Sequence, residues 1–394
     1  MVSRRQAQGN HGRVTVSLLV VTLLVSTTAS PAFAAQRIML GYYVPYDPTS
    51  WASLEAHADA LDIVAAQWVS VDPCGNLSST DDQTLNQFAR AHNQLVLPSL
   101  FTLSPWLNHR LLTDEETSDR FLEQIVGYTL TEDYAGFDLD LENVDPGDRA
   151  ALSAFVDRAA SALHEHNKML ALALPAKDRD VTVGWAGAYD YTSLGASADL
   201  VTIMAYEYSG PFSGPGSVAP YDWVGRVLAF VRTRMPPEKV VLGLAWYGYD
   251  WNTTSGGTRS LSYPQALALA EQVGASLDLD PVTRSSTFGY ENLAGEPVPR
   301  AASPVRPSHR LTVRQPPPCD VAPPQATPVP TRGRPAEPGT PQSHEVWVED
   351  SASVAERIGL AAQYGVSGVA SWRLGLEDPR VWDAIVEWRS TKDE

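Results

Sequence analysis

Eight short apolar runs, separated by segments of helical character, constrain this chain more than any other feature. They lie at residues 38–43, 63–69, 95–101, 137–142, 170–175, 200–206, 240–246 and 369–372. Strands of this kind alternating with helices are the pattern of a parallel sheet whose faces are covered. Between the fourth and fifth runs, residues 148–167 place Leu152, Phe155, Val156, Ala159 and Leu163 at helical spacing, so one stripe can pack on a sheet. The predicted fold class is α/β, a (β/α)8 TIM barrel rather than an open doubly wound sheet. Consistent with this, Gly41 is followed by aromatics and proline and not by a glycine-rich phosphate loop.

The fourth run is unlike the others. Phe137, Leu139 and Leu141 alternate with Asp138, Asp140 and Glu142, the period-2 signature of a strand with two different faces. Carboxylates on one face lie about 6 to 7 Å apart along a strand. Three of them gathered on a central strand are costly without a function to retain them. In a barrel, catalytic groups come from the C-terminal ends of several strands, which places Glu142 at the mouth. The other strand ends supply Tyr42, Tyr206 and Glu207, Trp246 and Tyr247, and Trp372. Acids surrounded by aromatics suit a sugar, because rings stack on pyranose faces while carboxylates grip hydroxyls. Metal ligation would require further ligands on neighbouring strand ends, which the sequence does not cluster, so no metal and no cofactor is expected.

Residues 1–34 read as a secretory signal peptide. Arg4, Arg5 and Arg13 precede the apolar run 14–25, and Ala34 ends a small-residue cleavage site. The apolar run is too short for a membrane span, and no later segment approaches the ~20 residues that one needs. The formal charge of −17 becomes more negative on cleavage, which argues against nucleic acid as a partner. An exported chain with two cysteines, Cys74 and Cys319, can keep a disulfide. Cys74 follows the second strand, so a bond to Cys319 would hold residues 291–343 near the barrel mouth. That stretch is proline-rich, has almost no apolar periodicity, and is expected to be an extended or disordered loop inserted between strands seven and eight of a single 35–394 domain. The short strands at 286–290 and 344–348 flank it as a hairpin with a lengthened turn.

The run Phe137-Asp-Leu-Asp-Leu-Glu142 resembles the strand-four signature of glycoside hydrolase family 18, the chitinase family. Met204-Ala-Tyr206-Glu207 resembles its strand-six motif, and Ser371-Trp372 its strand-eight tryptophan. Leu174-Pro-Ala-Lys177, Tyr247-Gly-Tyr-Asp-Trp251, His344-Glu-Val-Trp347 and Trp372-Arg-Leu-Gly375 resemble the branch with bacterial spore-cortex and cell-wall N-acetylglucosaminidases. The resemblance implies retaining hydrolysis assisted by the substrate's own acetamide, an exception to the two-carboxylate rule. Glu142 would be the general acid and base, and Asp140 would orient the acetamide. Asp138 would share a proton with Asp140, and Tyr206 would donate to the acetamide oxygen. Trp372, Tyr247, Tyr42, Glu207 and Trp246 would bind substrate.

Two positions depart from the family pattern. Ala135 stands where an acid or asparagine is usual, and Glu207 where Asp is common. The expected protein is a secreted monomer acting on an N-acetylglucosamine polysaccharide, chitin or peptidoglycan. The alternative is a catalytically silent carbohydrate-binding protein on the same fold.

Overall fold

The computed structural model describes Met1 and residues 37–295, 309–324 and 337–391. The expected signal peptide falls outside the described residues apart from Met1. Among the described residues, no helix is long and apolar enough to cross a membrane.

All eight apolar runs form strands: β1 (Ile38–Tyr43), β2 (Ile63–Val71), β3 (Leu95–Thr102), β4 (Gly136–Leu141), β5 (Met169–Pro175), β6 (Leu200–Met204), β7 (Val240–Ala245) and β8 (Gly368–Trp372). Each pairs in parallel with the next. The ring closes where Ile38 of β1 lies opposite Gly368 of β8. Strand β6 stops at Met204, two residues short of the predicted end. There Ala205 N–H turns back to the Ile203 carbonyl at 2.8 Å, and Glu207 takes a left-handed backbone with φ 58°.

Two apolar layers explain the patterning. Ile38, Leu40, Ile63, Leu97, Met169 and Val241 fill the inside of the barrel. Phe137, Leu139 and Leu141 face outward, into the layer that includes Phe121, Leu152, Phe155 and Val156 of the surrounding helices. The stripe predicted at 148–167 lies on the helix Arg149–His164, with Leu152, Phe155, Val156, Ala159 and Leu163 all buried. Ala135 packs against the apolar interior at the start of β4. It is half-buried there, and its small side chain fits that layer.

The segment between β7 and β8 is more structured than the sequence suggests. A five-stranded antiparallel sheet runs in the order Thr258–Ser262, Tyr247–Asn252, Pro341–Val348, Ser286–Leu293, Asp278–Leu279. The helix Tyr263–Val273 packs its Tyr263, Ala266, Leu269 and Ala270 with Phe288, Tyr290, Val346 and Val348 of the sheet. The predicted hairpin is present, paired from Ser286 with Val348 to Leu293 with Pro341. The expected loop at 291–343 is therefore corrected at both ends, which are hairpin arms.

It is corrected in the middle as well, where Leu311–Arg314 pairs antiparallel with Leu77–Asp82 beside β2. Leu311, Thr312 and Val313 suit a strand, and the prolines at 316–318 follow it without interrupting the ladder. Buried His309 meets Asp82 and lies edge-on to Trp51 at 4.4 Å. Arg314 pairs with Glu132 at 3.0 Å. The disulfide joins Cys74 to Cys319 across 245 residues.

Gly136 opens β4 opposite Met169. Any Cβ there would collide with the Met169 carbonyl oxygen and side chain. Gly136→Ala should lower the unfolding free energy by roughly 1–3 kcal/mol, the range for overpacking. Urea titration checks this through a lower midpoint at unchanged slope.

Candidate active site

The inner face of β4 changes character along its length. Below Asp138 the barrel is apolar; above it the strand carries only carboxylates. Asp138 lies level with Ser99 on β3 and Ala171 on β5, and Ser99 Oγ donates to its carboxylate at 2.6 Å. Burial pushes the Asp138 carboxyl up to about 6 against that hydrogen bond. Asp140, also buried, is raised by burial first and then by the charges of Glu142 and Asp138. Oδ1 of each aspartate has no hydrogen-bond partner among the described residues.

Glu142 stands one residue beyond β4 at the barrel mouth. The neighbouring segment grips its main chain on both sides. Its N–H donates to the Thr102 carbonyl at 2.8 Å, and its carbonyl accepts from Asn108 Nδ2 at 2.6 Å. The next residue, Asn143, is left-handed (φ 54°) and donates from Nδ2 to the Leu103 carbonyl at 3.3 Å. Burial and then the charge of Glu207 raise the Glu142 carboxyl to about 7. A carboxylic acid that holds its proton near neutral pH can give it to a leaving group.

A cavity of about 700 Å³ opens above these groups. Asp140, Glu142, Tyr206, Glu207, Tyr247 and Trp372 line its base, and Phe101, Leu103, Trp185 and Phe212 its apolar arm. A second cavity of about 450 Å³ adjoins it and shares Tyr46, Glu207, Tyr247 and Trp372. Its other walls are polar, among them Asp47, Ser260, Gln265 and Arg373. Arg373 pairs with Asp47 at 2.6 Å. Glu142 lines only the first cavity.

Tyr206 is pushed well above its ordinary pKa by burial and by the charges of Asp140, Glu142 and Glu207, so it remains a hydroxyl donor. Glu207 accepts from Tyr247 Oη and, at 2.6 Å, from Tyr249 Oη. It therefore stands ordered between the two cavities, close to Glu142.

Two expected substrate residues line neither cavity. Trp246 lies between Ala245 and Tyr247, which pack together in one cluster, while its own ring turns to the outer layer. It is fully buried and edge-on to Trp382 at 5.1 Å. Tyr42 lies edge-on to Trp372 with ring centres 5.5 Å apart, and is 2% exposed. It packs against the Trp372 ring from within the barrel. Burial and the charges of Asp138 and Asp140 raise its hydroxyl, which stays protonated.

Several lining residues were not singled out from the sequence. Tyr249 enters only within the run Tyr247-Gly-Tyr-Asp-Trp251, where it alternates with Tyr247 on one strand face. Gln67 continues the inward alternation of Ile63 and Ala65 on β2 and lines the cleft just before the irregularity between Gln67 and Val69. Phe101, Trp185 and Phe212 lie at or beyond strand ends, in segments without regular spacing. Asn108 reaches Glu142 only through tertiary packing.

The family model described as glycosyl hydrolases family 18 matches residues 38–377. The chain belongs to this family. It is therefore a glycosyl hydrolase on a (β/α)8 barrel. It is 25% identical over 381 residues to an uncharacterized glycosylase, YvbX, of Bacillus subtilis, covering 94% of this chain and 97% of that one. It is 28% identical over 281 residues to the cortical fragment-lytic enzyme of Bacillus subtilis, covering 70% of this chain and 54% of that enzyme. The match thus spans about half the length of that relative. Among solved structures, a chitinase from Chromobacterium violaceum has the same fold, with TM-score 0.73 at 24% identity over 90% of this chain and 100% of that one. The spore cortex-lytic enzyme SleL of Bacillus megaterium superposes with TM-score 0.72 at 23% identity, over 92% and 76%.

Glu207→Gln should move the alkaline limb of the kcat profile to lower pH. The charge of Glu207 favours the protonated form of Glu142, so removing it lets Glu142 ionise earlier. A pH series of initial rates on a soluble oligosaccharide measures the shift. An unmoved limb would show that Glu207 does not act on Glu142.

Proposed function

We propose that this enzyme cleaves β-linked N-acetylglucosamine polymers with retention of configuration, using the substrate's acetamide as nucleophile. The observation that carries the reading is the convergence of Glu142, Asp140 and Tyr206 on one cavity above Trp372, with Glu142 raised to about 7. In this reading Glu142 protonates the glycosidic oxygen. The acetamide carbonyl attacks the anomeric carbon, the bond to the leaving sugar breaks, and an oxazolinium ion forms. Water activated by the same glutamate then opens it.

Asp140 orients the acetamide N–H and balances the positive charge on the ring. Its burial, beside a second carboxyl at Asp138 that holds a proton near pH 6, lets the pair carry one proton between them. Tyr206 donates to the acetamide oxygen, and Trp372 lies beneath the reacting sugar. The relatives named as a cortical fragment-lytic enzyme and as chitinases support this substrate class. Export to an oxidising compartment is part of the same proposal, supported by the disulfide and the apolar leader.

The position of Glu142 also orients the chain. Because the acid serves the bond to the leaving group, the apolar arm with Phe101, Trp185 and Phe212 takes the leaving side. The polar cavity beyond Trp372 takes the other. Space on both sides of the reacting sugar favours cleavage inside chains.

Glu142→Gln should lose at least about a hundredfold in turnover of chitooligosaccharides or purified peptidoglycan, the scale of a lost general acid. The wild type should release β-anomers, and a de-N-acetylated substrate should not be cleaved. Inversion, or turnover of the free amine, would overturn the acetamide mechanism. Mass analysis of products from end-labelled oligosaccharides should show early internal cuts. Sequential removal of one terminal unit would mean that the polar cavity is closed to substrate.

A further inference from the structure

The proline-rich insertion contacts neither cavity through its described residues 309–324, yet it is bonded to a loop two contacts away from Glu142. The loop Asp72 to Asn76 holds Cys74 and folds on its own Asp72, which accepts the N–H groups of Cys74 at 2.9 Å and Asn76 at 3.0 Å. Beside the disulfide, Arg110 Nε donates to the Pro73 carbonyl at 2.7 Å, and Arg120 donates to the Cys74 carbonyl at 3.4 Å. Gly75 has a left-handed backbone with φ 81° and lies directly against Thr117 and Phe121, where a Cβ would not fit. Arg110 belongs to the helix Pro105–Thr113, and the same helix carries Asn108, whose Nδ2 holds the Glu142 carbonyl at 2.6 Å. Asn108 is fully buried, and its Oδ1 has no partner among the described residues. A buried amide left half-satisfied is expensive as packing. The hydrogen bond to the acid's main chain is what it gains.

We propose that Asn108 is a positioning residue for Glu142, and that the Cys74–Cys319 tether holds Asn108 in place through Pro73 and Arg110. The described part of the insertion then acts on catalysis without lining either cavity. Loss of the tether lets the loop retreat from Arg110 and frees the helix Pro105–Thr113 to shift. The carbonyl of Glu142 loses its donor, and the acid moves relative to the glycosidic oxygen. Displacements of about 1 Å at a reacting group can cost as much as a hundredfold in rate. Because Asn108 and Arg110 line neither cavity, substrate affinity should change less than turnover.

The inference rests on Glu142 being the general acid, so Glu142→Gln runs beside every arm of the test. Folded protein is measured oxidised and after mild reduction, together with Cys74→Ser/Cys319→Ser, Arg110→Ala, Asn108→Ala and the isosteric Asn108→Asp. Circular dichroism and melting temperature confirm the fold of each. Steady-state kinetics on a soluble chitooligosaccharide should give kcat about tenfold lower for the reduced protein and for each Asn108 variant, with KM within about twofold. The kcat pH profile should change shape along with the rate. Reduction of Asn108→Ala should add little further loss, because both changes remove one positioning contact. Wild-type kcat in reduced, folded protein overturns the inference, as does loss in Asn108→Ala that multiplies with loss on reduction. If Glu142→Gln itself keeps wild-type turnover, the assignment of the acid fails instead.

Discussion

The structure depends on keeping carboxyl groups out of water at the top of an otherwise apolar barrel. Asp138 and Asp140 are buried on a strand whose opposite face packs into the helical shell, so neither can turn away. Desolvation is the largest influence on Asp138, Asp140 and Glu142 alike, and it raises all three. An isolated buried carboxylate neutralises itself by taking a proton. Here this tendency holds a proton at the cavity, while Ser99 beside Asp138 and Glu207 near Glu142 tune the two ends of the row.

The surroundings of that row follow from the same constraint. Phenols whose deprotonation is suppressed by burial and by neighbouring carboxylates serve as fixed donors: Tyr206 within the cavity, Tyr247 and Tyr249 on Glu207. Glu207 takes a left-handed backbone to enter this group, an unusual conformation for a side chain of its kind. It reaches the space between the two cavities, so the longer acid at this position still meets the site. Below the acids, Ala135 keeps the layer apolar.

Much of the fold was legible because two periodicities carry it. Period 2 in β4 separates the shell residues from the acids, and helical spacing in Arg149–His164 presents one buried stripe. The same rule, applied one residue further along, would have shown that Trp246 faces away from Tyr247. The inserted sheet was less legible, since its strands carry polar residues and are separated by long stretches. Leu311–Arg314 was hidden among prolines, and its partner Leu77–Asp82 lies more than two hundred positions earlier in the chain. Gln67 could have been reached, since it continues the inward alternation of Ile63 and Ala65. Asn108 could not be reached by spacing at all, because it depends on a hydrogen bond between neighbouring barrel units.

The disulfide also bears on the order of synthesis. Cys74 leaves the ribosome 245 residues before Cys319, and β8 follows both. The first thiol must therefore wait, unpaired, while most of the barrel strands are produced. A reactive Cys74 on an isolated molecule would mark a chain whose insertion never docked, and thiol labelling would separate finished copies from unfinished ones.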